Sequence, residues 1–193
     1  MAETIDRAPE PGIRSRTWLA RYYYARAAFS IAWVGAAFTL ADSRIAVVAA
    51  LLLIYPAWDA LANLVDAQHN GGLRHNPTQA VNAAVSVVTT IAVGIALMFG
   101  MNAVIGVFGI WAALSGLLQL GTGVRRWKDT GGQWPMVISG IQSAAAGFSF
   151  LVKAAAAEVP QVSAIAPYAG FGAFYFLLAA VLLTIRAVRR HRS

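Results

Sequence analysis

The chain has 193 residues, 59% hydrophobic and 12% charged, with a net charge of +7 and no cysteine. A water-soluble domain runs nearer half apolar and a quarter charged, so an ordinary soluble core is excluded, as are disulfides, thiolate metal sites and cysteine nucleophiles. The basic excess sits at the ends of apolar segments rather than on a soluble face with interleaved aromatics, which argues against a nucleic-acid partner.

Residues 1–20 read as a polar tail with Pro9, Pro11 and Gly12. No apolar run followed by a small-residue cleavage site occurs there, so no cleaved signal peptide is expected. A spanning helix needs about 20 mostly apolar residues to cross a hydrocarbon layer of roughly 30 Å. The first span runs from about Tyr22 to Leu40, and Asp42 or Ser43 offers an N-cap for the next. The second runs from about Arg44 to Leu64 and carries Pro56, which is expected to kink it. Asn76 is placed to cap the third, with Pro77 at the first helical position and Gln79 three residues after the cap.

That third span covers about Thr78 to Phe99, and Gly100 leaves almost no loop before a fourth at about Asn102 to Leu120. Gly131 and Gly132 precede the Pro-led start of a fifth, about Trp134 to Val152. Pro160 and Pro167 limit where the sixth begins, at about Ala164, and it ends near Ile185. The expected architecture is all-α: one polytopic membrane domain over residues 21–189, with hairpins at about 22–64, 78–120 and 134–185 and a tail at 190–193.

Lys and Arg set the orientation. Arg7, Arg14, Arg16, Arg21, Arg26, Arg74, Arg125, Arg126, Lys128, Arg186, Arg189, Arg190 and Arg192 fall on one side, against Arg44 and Lys153 on the other. The rich side is therefore expected in the cytoplasm, with both termini there and the protein in the cytoplasmic (inner) membrane. Trp18, Tyr22, Tyr23, Trp127 and Trp134 gather near that side as an interfacial belt would.

The chain reads as three copies of one helical hairpin. Ala25–Ile31 aligns with Val81–Val87 at an offset of 56, and the same offset lays Ile54–Leu61 over Ile110–Leu117 and Asn63 over Gln119. In the third copy Ser143 follows Ser86 at 57, and Phe171 follows Trp111 at 60. Copies of two spans each have parallel topology, which suggests a ring-like, pseudo-threefold bundle.

The run Gly109-Ile110-Trp111-Ala112-Ala113-Leu114-Ser115-Gly116, then Arg125-Arg126, Gly131-Gly132-Gln133-Trp134, Ser139-Gly140-Ile141 and Gly147, resembles the HdeD-like membrane proteins. Those are small bacterial six-helix proteins built from short repeated hairpins. The resemblance is best between about Asn76 and Arg186 and implies an inner-membrane protein associated with acid stress, with no catalytic residue to transfer. The first hairpin departs from the pattern at Tyr55-Pro56-Ala57-Trp58-Asp59.

Asp59 is the most informative residue. A carboxylate within a span costs about 2.5–3.5 kcal/mol on insertion scales, so it faces protein or a water-filled cavity. Tyr55, Asp59, Asn63 and Asp66 share one face of the second helix at helical spacing, a polar stripe running to the arginine-rich end. Arg26 lies at a similar depth on the first helix, so an Arg26–Asp59 pair is expected, with Asn82, the repeat counterpart of Arg26, nearby. Such a pair serves either to join two helices or as a proton- or ion-responsive site.

Asn82, Gln119 and Gln142 are expected mainly to join helices through hydrogen bonds. Ser139, Ser143 and Gly147 on the fifth helix, and Ala112 and Gly116 on the fourth, form small-residue lines for close helix packing, within the monomer or between subunits of a homo-oligomer. His69, His75 and His191 lack the spacing and company of a metal site, and no intramembrane serine has a base beside it.

No metal, cofactor or enzymatic activity is therefore expected, and the partner is membrane lipid. Two functional classes stand. One is a non-enzymatic membrane protein, stress-related, acting structurally or through a partner. The other is a small proton- or solute-linked transporter or channel using the stripe around Asp59. A dry, packed bundle favours the first, and a polar cavity reaching Asp59 from one side favours the second.

Overall fold

A computed structural model describes residues 11–130 and 134–190. Its six long helices are α1 (Pro11–Thr39), α2 (Ile45–His69), α3 (Pro77–Ala96), α4 (Met101–Thr130), α5 (Trp134–Ala154) and α6 (Ala166–Arg190), with a short 3-10 turn, η1 (Val162–Ile165), before α6. Among the described residues there is no strand. Five helices are long and apolar enough to cross a membrane, and α1 is as long but less apolar because Tyr22, Tyr23, Tyr24 and Arg26 interrupt it. Large apolar side chains such as Ile31, Phe38, Val88, Ile91, Phe148 and Phe174 point outward. In water this would be an extended exposed patch, whereas in a bilayer it is the lipid-facing surface. The chain is a polytopic, all-helical membrane protein.

Several helices outrun their expected spans. α1 begins at Pro11, inside the segment read as a tail, and α4 continues past Arg125 and Lys128 to Thr130. A helix already nucleated by its apolar part extends cheaply, one hydrogen bond per added residue. The expected caps do not form. Arg44, not Asp42 or Ser43, precedes α2 and makes no side-chain cap. Asn76 does sit at the N-cap of α3 and Pro77 follows it, but the Asn76 amide turns back to donate to the carbonyls of Asn70 (2.8 Å) and Gly72 (2.9 Å). Gln79 donates to Asp66 instead of closing a capping box (3.1 Å). Loop carbonyls hold the Asn76 amide, and the Asp66 carboxylate holds that of Gln79. Pro56 is buried within α2, which remains one continuous helix. Gly131 and Gly132 lie outside the described residues.

Each helix packs chiefly against two others, and contact between α1 and α6 closes the ring. The extensive interfaces are α4–α5, α1–α6 and α2–α3, all between successive hairpins; the pairs within a hairpin touch less. Glycine makes the α4–α5 contact possible. A Cβ added at Gly116 would lie 2.5 Å from the Ala144 nitrogen, and one at Gly147 would lie 2.6 Å from the Gly109 carbonyl oxygen. Gly140 is equally close to Leu120 and Gly116. Backbones meet directly here, as in other small-residue membrane interfaces. Gly100, at φ +103°, makes the tight α3–α4 turn in a conformation that disfavours any side chain.

The two ends of the ring differ. Trp33, Leu52, Val93, Ile105, Phe108 and Phe150 fill the end formed by the α1, α3 and α5 C-termini, together with Val162 and Ile165 of η1. Trp33 ties α1 to α2 there by donating to the Leu51 carbonyl (2.8 Å). The opposite, arginine-rich end is hollow.

Candidate functional site: a polar chamber inside the ring

The α2 stripe supplies the first wall. Tyr55, Asp59, Asn63 and Asp66 all face the interior. Asp59 is mostly enclosed and has three donors. Arg26 of α1 donates to its Oδ1 and forms the ion pair, while Ser86 of α3 (2.8 Å) and the Asn63 amide (3.0 Å) donate to Oδ2. A buried charge is tolerable only when paired and hydrogen-bonded, and here three helices satisfy one carboxylate. The Arg26 guanidinium is held as firmly. Its Nη1 donates to the Tyr22 hydroxyl (3.1 Å), which donates on to the Ala62 carbonyl (3.1 Å), and the group lies 4.2 Å from the centre of the Phe176 ring. That last contact is a cation–π interaction.

The rest of the chamber comes from the other helices, in layers that recur around the ring. Deepest is a layer of three serine–aromatic pairs. Ser30 and Tyr55 both line this layer. Ser86 accepts from the Trp111 indole (3.1 Å), and Ser143 is 3.3 Å from the Tyr168 hydroxyl. The serine stands 25 positions before its aromatic partner in every hairpin. The Tyr55, Trp111 and Tyr168 rings meet edge to face, with centroids 5.8 and 6.0 Å apart, and form the chamber floor.

One helical turn nearer the mouth stand Arg26 and Asp59 in the first hairpin, Asn82 and Ser115 in the second, and Ser139 and Gly172 in the third. A further turn brings Tyr22, Asn63, Thr78, Gln119 and Phe176 to the wall. The enclosed volume is about 470 Å³, within the range of small-molecule sites. Asp66 at the rim accepts from Gln79 (3.1 Å) and Asn70 (2.9 Å). His69 stacks on Trp18, which stacks on Tyr22.

Three buried polar atoms of residues around the chamber have no hydrogen-bond partner: Arg26 Nε, Trp58 Nε1 and Asn82 Oδ1. Buried polar atoms are nearly always paired; these three are closed off from the chamber's open space. Among the described residues no group of three His, Asp or Glu could hold a metal ion.

The structure brings together Arg26, Asp59, Tyr55, Asn63, Asp66 and Asn82 on one chamber wall. Asn82 does not touch the ion pair through a hydrogen bond; Ser86, one turn on, is the direct α3 partner of Asp59. Ala112, Gly116 and Gly147 lie in the α4–α5 contact, where Ser143 also donates to the Ala112 carbonyl (2.9 Å). Ser139 lines the chamber. Tyr22 and Tyr23, read as an interfacial belt, turn inward, while the side chains of Trp127 and Trp134 lie outside the described residues. The third-hairpin counterpart of Trp111 is Tyr168, not Phe171, because the 57-residue offset of Ser143 carries through to α6. Trp58 and Phe176 carried no sequence signal beyond their aromatic character. The 25-residue serine–aromatic spacing was the readable sign of the floor.

Comparison with protein-family models, curated proteins and solved structures gave no match to this chain.

Proposed function

We propose that the protein is a non-enzymatic solute-binding protein of the cytoplasmic membrane, with the chamber as the inward-facing site of a small transporter. The observation that carries this reading is the chamber itself. Polar, about 470 Å³ and lined by all six helices, it reaches Asp59 from the arginine-rich end and stops at an apolar core. The charge bias of the loops supports placing that end in the cytoplasm. A bundle acting only by its bulk has no reason to keep a void of this size beside a buried ion pair, since close packing is the cheaper arrangement.

Ser86 is the serine best placed beside a carboxylate. It is 1% exposed and already holds two hydrogen bonds, which argues against a nucleophilic role. The recurring layers support descent from three copies of one hairpin, of which the first alone acquired charges. The HdeD-like resemblance adds acid stress as the setting. The glycines that carry it, Gly109, Gly116, Gly140 and Gly147, serve the α4–α5 contact, so it bears on scaffold rather than on site.

The natural absence of cysteine permits a direct test. Ser115→Cys, in the chamber wall, should react with a membrane-impermeant maleimide from the cytoplasmic face alone, and Ile105→Cys, in the apolar core, from neither face. Labelling of Ser115→Cys from the outer face, or no labelling at all, would defeat the inward-open reading. A deletion strain grown across pH and osmolarity, rescued by the wild type but not by Asp59→Asn, tests the physiological half.

A further inference from the structure

The chamber wall is uneven. The backbones of α1 and α2 approach little, but side chains fill the gap between them. Phe29 stacks on Trp58 (4.5 Å), Arg26 pairs with Asp59, and Tyr22 reaches the Ala62 carbonyl. The backbones of α5 and α6 approach as little. There the side-chain ties among the described residues lie at the floor, where Tyr168 meets Ser143 (3.3 Å) and the Phe150 ring (6.0 Å).

Nearer the mouth the two helices turn different chemistry to this seam. α6 meets α1 through Phe176, which lies against Tyr23 and Arg26. Phe171, Tyr175, Leu178 and Leu182 recur at helical spacing along its other edge, towards α5, and line the chamber. Phe171 and Leu182 are exposed. α5 presents Ser139, Gln142 and Ala146, on the edge away from the glycines that meet α4. The helices also differ in reach. α5 begins at Trp134, about 13 Å above the level of Ser143, whereas α6 runs on to Arg190, about 33 Å above Tyr168. Ile138 and Ile141 on one side of the seam, and Phe174 and Val181 on the other, are exposed apolar residues of the lipid-facing surface. The seam therefore joins the chamber to hydrocarbon. Behind it, Arg26 and Asp59 neutralise each other. The Gln119 and Gln142 amides line the chamber, have no hydrogen-bond partner among the described residues, and are not among its closed-off atoms. Each amide can donate and accept.

On the reading of the chamber as a ligand site, we infer that it admits an amphiphile sideways from the membrane: an uncharged, hydrogen-bonding head lies against Gln119 and Gln142, and a single alkyl chain leaves between α5 and α6 along Ala146, Phe171 and Leu178. The chain stays in an apolar environment throughout, so only the head is transferred, and it meets amides instead of hydrocarbon. The third hairpin, which lacks the charges and the ring stack of the first, is the gate through which the ligand passes.

The experiment uses the full chain in phosphatidylcholine nanodiscs and a monoacylglycerol with a photoreactive diazirine in its chain. Saturable cross-links are expected within residues 139–146 and 171–182, competed by unlabelled monooleoylglycerol and not by glycerol at the same concentration. Ala146→Phe and Leu178→Trp add bulk to the seam. Each should weaken that competition about tenfold or more, the loss expected when two methylenes lose their seat. Both side chains face open space, so the melting temperature without ligand should not fall, and the wild-type cross-link map tests the proposal even if a variant fails to fold. Cross-links spread over lipid-facing positions such as Ile91 and Phe148, without competition, would reduce the contact to ordinary bilayer lipid and overturn the assignment. Glycerol competing as well as monooleoylglycerol, or both folded variants binding like the wild type, overturns the seam and leaves the chamber reading standing. No cross-link at all also overturns the assignment. The Ser115→Cys labelling then decides the chamber separately: reaction from the cytoplasmic face keeps it, and protection from both faces removes it.

Discussion

The same six helices make two unlike ends. At one end, Leu52, Val93, Ile105, Phe108 and Ile165 are fully buried in one apolar cluster, and η1 adds Val162 to it. At the other, the helices keep apart around a polar void whose wall carries an ion pair. The change occurs within two helical turns. On α4, Phe108 belongs wholly to the core, Trp111 is shared, and Ser115 and Gln119 belong to the chamber. Lipid outside gives both ends the same apolar environment, so the difference is written entirely in the inward-facing residues. The closed end and the glycine contact of α4 with α5 are therefore expected to carry most of the stability.

Substitution at the shared scaffold should have the largest effect. Gly147→Leu places side-chain atoms where the Gly109 carbonyl and the Ala113 nitrogen already stand. Overpacking against backbone has nowhere to relax, and a loss of about 3 kcal/mol or more is expected. Recovery of monodisperse protein from membranes should fall to background, and both ends should be lost together. Recovery of a well-folded Gly147→Leu protein would show that the α4–α5 approach is not fixed.

The next prediction sets the ends against each other. Phe108→Ala opens a cavity in the sealed end and should cost about 3–5 kcal/mol. Phe171→Ala removes a ring of similar size from the chamber wall, where it is half exposed, and should cost less than about 1 kcal/mol. Thermal unfolding of both measures the contrast. Equal losses would mean that the open end is as close-packed as the closed one.

The ion pair tests whether the open end needs its charges to stand. Asp59→Ala leaves Arg26 buried without its partner and should cost about 3 kcal/mol. The double change Arg26→Asn with Asp59→Ser copies what the second hairpin already has at Asn82 and Ser115, and should cost about 1 kcal/mol. If the double variant is as unstable as the single one, the pair is structural. If it is stable and no longer binds solute, the charges serve the site.

Much of the fold was legible because lipid imposes simple rules on sequence. Span length, Gly100, the loop arginines and the pairing of Arg26 with Asp59 all follow from the cost of polar groups in hydrocarbon. Helix ends were less legible. Asn76 has the chemistry of a cap, but which carbonyls stand near its amide is decided by the Gly71–Gly72 turn, where both glycines have positive φ. The chamber was hidden for a different reason. It exists only when α1 meets α6, as in the approach of Tyr24 to Thr184 (3.4 Å), and no local pattern announces a contact between the two ends of the chain. Tyr168 was missed because a single added residue shifts the third copy, and an alignment through Phe171 conceals the shift.

The serine–aromatic layer is the boundary between the two ends, and the smallest predicted effects lie there. Ser143→Ala removes the bond to the Ala112 carbonyl and the contact with Tyr168, and Tyr168→Phe removes the second of these alone. Interhelical hydrogen bonds in membranes average about 0.6 kcal/mol in double-mutant cycles, so Ser143→Ala should cost about 1 kcal/mol and Tyr168→Phe about half of that. The cycle isolates the term of interest, because the Ala112 bond is lost equally with or without the Tyr168 hydroxyl. A coupling near 0.5 kcal/mol means that the floor is a built ring of paired groups separating core from chamber. A coupling of zero means that Tyr168 contributes to the floor only as a flat surface, and the boundary is then set by ring packing alone.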